Sequence, residues 1–224
     1  MNRLILVGAV GLAISAGAIL WQSRGAPAPS TDLPFGAVNA QEAADVDTSS
    51  IVEMTMGPED AKVTVVEYAS FTCPHCARFH LDQGKKLKAD YVDTDLVRFI
   101  YRDVFFDRPG LWASMVARCG GEEKFFGISD MIYSQQSEWT ADRDDPVQMA
   151  NSLRKIGKVA GLSDEQLEVC LNDNDKAKTL VAWYQKNAEA DNIRSTPSLI
   201  INGTQYENMS YDELKVIIDE KLAE

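Results

Sequence analysis

Cys73, Pro74, His75 and Cys76 stand between an apolar, β-branched run and a helical pattern, and that placement constrains the fold more than any other feature of the chain. Lys62 to Ala69 reads KVTVVEYA, the composition of a buried strand. Cys73 to about Val92 follows as a helix, with Pro74 in the first turn, where a missing N–H costs nothing. Leu87 and Tyr91 lie one turn apart on it, and Gly84 marks a weak point or bend. Asp95 to Val104 (DLVRFIYRDV) supplies the next strand, and Ile51 to Met56 a shorter one ahead of the Gly57-Pro58 turn. Strand, helix and strand at this spacing form a βαβ unit, whose two strands must be parallel and whose crossover should be right-handed.

Pro109 to about Asp191 carries no convincing strand. Leu111–Cys119, Glu122–Ser134, Pro146–Ala160, Asp164–Leu171 and Lys176–Glu189 read as helices, with Ser163 capping one of them. Strand character returns at Ser198 to Ile201, then Asn202-Gly203 gives the strongest hairpin signal in the chain and Thr204 to Glu207 the returning strand. Ser210 and Glu213 make a capping-box pattern at the start of a closing helix, whose apolar face is Leu214, Ile217, Ile218 and Leu222. The fold class expected is α/β, a small sheet interrupted by a helical insertion at about residues 109–190.

The N-terminus begins with one positive charge, Arg3, and an uncharged apolar run of 17 residues from Leu4 to Leu20. Residues 1–20 therefore read as an export signal, either cleaved after the small-x-small site Ala16-Gly17-Ala18 or retained as a membrane anchor. Residues 21–50 are rich in Ala, Pro, Ser, Asp and Gly and read as a flexible tether. The folded part, residues 51–224, is expected outside the cytoplasm, in a periplasm, either soluble or tethered by residues 4–20. The formal charge of −12 belongs to that part, because only Arg3, Arg24 and Asp32 fall within the first 40 residues. Acidity with few basic clusters argues against nucleic acid as a partner.

Only four cysteines are present, too few for a disulfide-rich scaffold of 224 residues. A helix N-terminus offers free N–H groups and a partial positive charge, which stabilise a thiolate and make Cys73 the expected nucleophile. His75 is placed to add a donor or a positive charge, and Cys76, one turn further in, to attack a mixed disulfide at Cys73. Zinc is disfavoured because no second cysteine pair or spaced histidine pair accompanies the motif; His75 and His80 are the only histidines. Haem attachment needs a histidine where Ala77 stands. An inert disulfide in so short a ring would contribute little. His80 alone reads as a packed or surface helix residue.

Val65-Val66-Glu67-Tyr68-Ala69-Ser70-Phe71-Thr72-Cys73-Pro74-His75-Cys76 resembles the active-site segment of the DsbA family of thioredoxin-fold thiol-disulfide oxidoreductases. The resemblance runs from about Ile51 to the C-terminus and implies a thioredoxin fold with an inserted all-helical subdomain. It implies an exported dithiol oxidase that passes a Cys73–Cys76 disulfide to reduced or unfolded exported proteins. It further implies reoxidation by a quinone-coupled membrane partner of the DsbB type, a monomeric state, and no metal or cofactor beyond the redox-active disulfide. Thr196-Pro197 matches the family's cis-proline, which faces the active site and lends the Thr196 backbone to an extended substrate. Glu67, six residues before Cys73, matches a buried acid that handles the proton of Cys76. Its alternation with Val63 and Val65 also places it on an inward face.

Cys119 and Cys170 remain, 51 residues apart in the helical insertion. Leftover cysteines in an exported protein usually pair, and a subset of the family carries a second disulfide in this region; buried free thiols and a second redox relay are the other readings. Two rival functions stand beside the oxidase. A disulfide isomerase or reductase often adds a dimerisation module, for which residues 21–50 are too short and too Pro-rich. A copper-handling protein would use Cys73 and Cys76 as soft ligands, and the seven methionines form no cluster that favours it.

Overall fold

The computed structural model describes residues 46–224, so the expectations for residues 1–20, and for the tether as far as residue 45, lie outside the described residues. Five strands form one sheet in the order β1-β3-β2-β4-β5: β1 (Met54–Met56), β2 (Val63–Ala69), β3 (Val97–Asp103), β4 (Ser198–Ile201) and β5 (Thr204–Glu207). The central pair β2–β3 is parallel, as a βαβ unit requires, and the other pairings are antiparallel. Asn202 and Gly203 turn the β4–β5 hairpin with φ of 45° and 82°, the left-handed values that this two-residue turn needs.

The alternation of β2 divides the interior. Val63, Val65, Glu67 and Ala69 face the larger core together with Phe99 and Tyr101 of β3, while Val66 and Tyr68 join Ile100 and Val104 in a smaller cluster on the other face. Residues 74–92 are helical throughout, but not as one regular α-helix. α1 (Pro74–Phe79) passes into a π-helical turn (His80–Gly84), then α2 (Lys85–Leu87), then a second π turn (Lys88–Val92). Gly84 closes the first wide turn, so the weak point expected there becomes a change of helical pitch.

Six helices fill the insertion: α3 (Arg108–Cys119), α4 (Gly121–Ser134), α5 (Gln136–Trp139), α6 (Pro146–Val159), α7 (Asp164–Leu171) and α8 (Asn174–Ala190). The closing helix is α9 (Tyr211–Ala223). Side-chain oxygens cap their starts. Asp107, Asp145, Ser163, Asp173 and Ser210 each accept a first-turn N–H, and Ser163 with Gln166 and Ser210 with Glu213 complete reciprocal capping boxes. α5, only four residues long, has no periodicity by which the sequence announces it.

Two tight links hold the insertion. Arg118 of α3 donates to Asp103 at the end of β3 (Nη2–Oδ2 2.7 Å), with side chains 5% and 1% exposed, and also to the carbonyl of Val52. Removing one partner of so buried a pair would strand the other charge, at a cost of about 3–5 kcal/mol. Next to Arg118, Cys119 forms a disulfide with Cys170 of α7, closing a 51-residue separation. Replacing both by alanine is expected to lower unfolding stability by up to ~4 kcal/mol, the chain-entropy value for such a loop. Denaturant unfolding of the double variant, with the active-site thiols kept in one redox state, checks this. An unchanged midpoint would mean the crosslink does not constrain the unfolded chain.

Candidate active site

Loop Ser70–Thr72 leaves the C-terminal end of β2 and delivers Cys73 to the N-cap of α1 in an extended conformation (φ −83°, ψ 118°). The Cys76 N–H donates to Cys73 Sγ at 3.4 Å, so the sulfur takes the place of the usual capping oxygen. On its other side Cys73 Sγ lies 3.5 Å from the Thr196 carbonyl oxygen, to which the thiol can donate. The Thr196–Pro197 bond is cis, and β4 begins immediately after it, beside β2. Both Cys73 and Cys76 are present as thiols, Cys73 8% exposed and Cys76 fully buried.

The loop is held from below and from the insertion. Phe71 packs on Tyr101 and Tyr133 with centroids 5.6 and 4.8 Å away, and the two tyrosine hydroxyls bond each other at 2.7 Å. Gln136 of α5, itself buried, donates through Nε2 to the carbonyls of Phe71 (2.7 Å) and Cys73 (3.0 Å). This amide fixes the backbone that carries the nucleophile, and nothing in the sequence pattern signals it. At the start of α3, Gly110 comes so near that a Cβ would sit 3.4 Å from Thr72 Oγ1 and 3.5 Å from Ser70 Oγ.

The electrostatics separate the two thiols. The Cys73 pKa is lowered to about 5, first by the Cys76 thiol donating to its sulfur, against the opposing effect of burial, and then by Thr196 and the peptide N–H groups of Cys76 and His75. Burial drives the Cys76 thiol far above its usual range, helped by the bond it gives Cys73 and by the charge of Glu67. Glu67, on β2 between Tyr101 and Leu199, is 1% exposed with neither carboxyl oxygen hydrogen-bonded. Its pKa is pushed up to about 8 by burial first and by the Cys73 charge second.

His75 gives Cys73 a donor from its backbone, not from its ring. Its ring is exposed and turned toward Arg78, whose Nη2 donates to His75 Nδ1 at 2.7 Å, and what it gives Cys73 is its peptide N–H. The reason is local: in the first helical turn the side chain projects outward while the N–H points at the cap. Pro74 sits at the first helical position and Pro197 is buried beside the nucleophile. His80 Nε2 donates to Asp130 Oδ1 of α4 at 2.5 Å, and the ring packs on Tyr133. Cys119 and Cys170, joined in the insertion, stand apart from these groups.

The fold and the site together define a thioredoxin-like protein with a dithiol at a helix N-terminus. The family model described as Thioredoxin matches residues 49–220, and the chain belongs to the thioredoxin family. A provisionally named protein-disulfide oxidoreductase of Rickettsia bellii is 34% identical over 173 residues, covering 77% of this chain and 65% of that protein. The chain thus spans a little under two thirds of the length of the rickettsial relatives it matches. Disulfide bond formation protein D of Bacillus subtilis is 27% identical over 171 residues, 75% of this chain and 76% of that one. Among solved structures, Wolbachia pipientis alpha-DsbA1 superposes with a TM-score of 0.70 at 22% identity, covering 76% of this chain and 91% of that one. Oxidised BdbD from Bacillus subtilis gives 0.68 at 24% identity, covering 77% and 94%. Both share the fold.

Reduced protein is expected to show a thiolate absorbance that titrates with a midpoint near pH 5. Cys73→Ser should abolish it, and a midpoint in the ordinary thiol range would contradict the capping account. In the same reduced protein the Glu67 carboxyl carbon, followed by NMR, should titrate near 8 and move downward in Cys73→Ser, because the thiolate that opposes its ionisation is gone. An unchanged Glu67 midpoint would show that the two charges do not interact.

Proposed function

We propose that this protein is a dithiol oxidase of the DsbA type, which donates a Cys73–Cys76 disulfide to reduced client proteins. The observation that carries the reading is the Cys73 sulfur at the N-cap of α1. Groups that stabilise its thiolate stabilise the reduced protein, and a disulfide whose reduced form is favoured is readily given away.

A client thiolate attacks Cys73 Sγ of the oxidised protein, the sulfur–sulfur bond to Cys76 breaks, and Cys76 leaves with the electron pair. Cys76 is fully buried and strongly basic as a thiolate, so it needs a proton at that moment. Glu67, whose pKa burial holds above the usual carboxylate range, supplies it and recovers one from solvent later. The client's second thiolate then attacks the client sulfur of the mixed disulfide. Cys73 departs as the stabilised thiolate, leaving an oxidised client and a reduced enzyme. The Thr196 backbone, within 3.5 Å of the nucleophile at the start of β4, suits main-chain pairing with an extended client.

The apolar run of residues 4–20 supports export, so the proposed reaction runs in a periplasm, with the folded part released or tethered. Its clients are then newly exported proteins. A quinone-coupled membrane oxidase of the DsbB type would reoxidise the dithiol, in keeping with the resemblance, and the catalytic unit is a monomer.

Refolding of a reduced multi-cysteine protein tests the proposal. Wild type should restore native disulfides, Cys73→Ser should be inactive, and Cys76→Ser should accumulate mixed disulfides with the client. Full activity in either variant would overturn the roles assigned. Efficient rescue of a scrambled client with no oxidation of a reduced one would favour an isomerase.

A further inference from the structure

A cavity of about 290 Å³ opens on the sheet face that carries Glu67. Met56, Leu87, Val92, Phe99 and Phe126 supply most of its wall, and the exposed Lys85, Lys88 and Asp130 stand on its solvent side. An apolar cavity of ~150 Å³ is already large enough to hold benzene. Two further observations mark it as more than a packing gap.

The first is Glu67 itself, which lines the cavity with both carboxyl oxygens buried and without a hydrogen-bond partner. A buried polar group left unmatched costs about 1–3 kcal/mol, so a partner brought in by a ligand is worth a comparable gain. The second is Gly127, inside α4 and also on the cavity wall. A glycine within a helix costs roughly 0.5–1 kcal/mol relative to alanine. Here its backbone is not left-handed, and a Cβ would meet nothing within 4 Å. What the missing side chain preserves is the open volume. The helical segment opposite is built from the two π turns, a geometry that gathers at functional sites.

We infer that this cavity is a ligand site for a small neutral molecule with a ring-sized apolar body and a carboxamide-like head, which exchanges two hydrogen bonds with the Glu67 carboxyl and so couples the site to the dithiol. The head follows from the acid. Protonated Glu67 offers one O–H donor and one carbonyl acceptor, the complement of an amide. A cationic head would have to be desolvated among apolar walls after passing Lys85 and Lys88; Asp130 on that side is already engaged by His80. The other titratable groups that act on Glu67 or are acted on by it are Cys73, Cys76, Tyr101 and Tyr133, none of them a cation, and His80, which also lines the cavity, is engaged by Asp130. A ligand that accepts a hydrogen bond from the protonated Glu67 carboxyl holds the acid neutral, which removes repulsion from the Cys73 thiolate. By reciprocity the thiolate form binds that ligand more tightly. This coupling rests on the redox reading above; the binding does not.

Benzamide, benzamidine and toluene serve as probes of the full chain, followed by NMR and by calorimetry. Benzamide is expected to bind saturably and to shift the signals of Glu67, Phe99 and Gly127. It should bind more tightly than either other probe, with affinity falling as the pH rises through about 8, where reduced Glu67 ionises. Gly127→Leu should weaken it at least tenfold, Gly127→Ala by less, and both should leave the Cys73 titration and client oxidation as in wild type. Glu67→Leu should erase the preference for benzamide over toluene. Absence of saturable binding, binding untouched by both Gly127 substitutions, or benzamidine as the tightest probe would overturn the inference. Equal affinity of oxidised and reduced protein above pH 8 would overturn the coupling. Because binding is read without client turnover, loss of the oxidase reading and loss of this one are separate results.

Discussion

At the start of helix α1 a sulfur stands where a serine or aspartate oxygen usually does, and there Cys73 Sγ receives both the Cys76 thiol and the Cys76 N–H, the contacts on which the rest of the site depends. The first-turn N–H groups need an acceptor, and an anionic sulfur is a better one than a thiol. The contact requires that β2 stop at Ala69, that Cys73 be extended while Pro74 is already helical, and that the loop not relax. Gln136 from the insertion, the Phe71–Tyr101–Tyr133 floor and the close approach of Gly110 meet those requirements. The helical insertion is therefore part of the site's construction, and the Arg118–Asp103 pair that ties it to the end of β3 supports the same geometry.

Burial then acts in opposite directions on neighbouring groups. It opposes ionisation of all three acids, Cys73, Cys76 and Glu67, but only Cys73 has enough donors aimed at it to win. Cys76 and Glu67 lie deeper, with no cation among the groups that act on them, and stay protonated. The outcome is a reduced state with one exposed-side thiolate and two buried protons, which is the arrangement an electron-accepting disulfide needs on its product side. Had Glu67 been paired with a lysine or arginine, its charge would have weighed on both thiols at neutral pH.

Much of this was legible in the chain. The β-branched run of β2, the parallel partner β3, the Asn202-Gly203 hairpin and the Ser163 and Ser210 caps all express local rules that the tertiary structure reinforces. The helix-terminal position of Cys73 followed from the same reading. Three features were not legible, each for a physical reason. The π turns are a change of hydrogen-bond spacing inside an unbroken helical run, which the apolar periodicity does not register. Gln136 acts on a backbone 63 residues away through an amide with no sequence signature. The His75 ring projects outward from the first helical turn, where it meets Arg78, a partner that the motif Cys-Pro-His-Cys does not include. The net charge of −12 has no role in the site and is consistent with solubility.

The central claim is that thiolate stabilisation at the N-cap makes the Cys73–Cys76 disulfide oxidising. Its most direct test is the equilibrium reduction potential of that pair, measured against a graded series of glutathione buffers at neutral pH. The expected value is well above (less negative than) the roughly −270 mV of thioredoxin. A value at or below that figure would contradict the account.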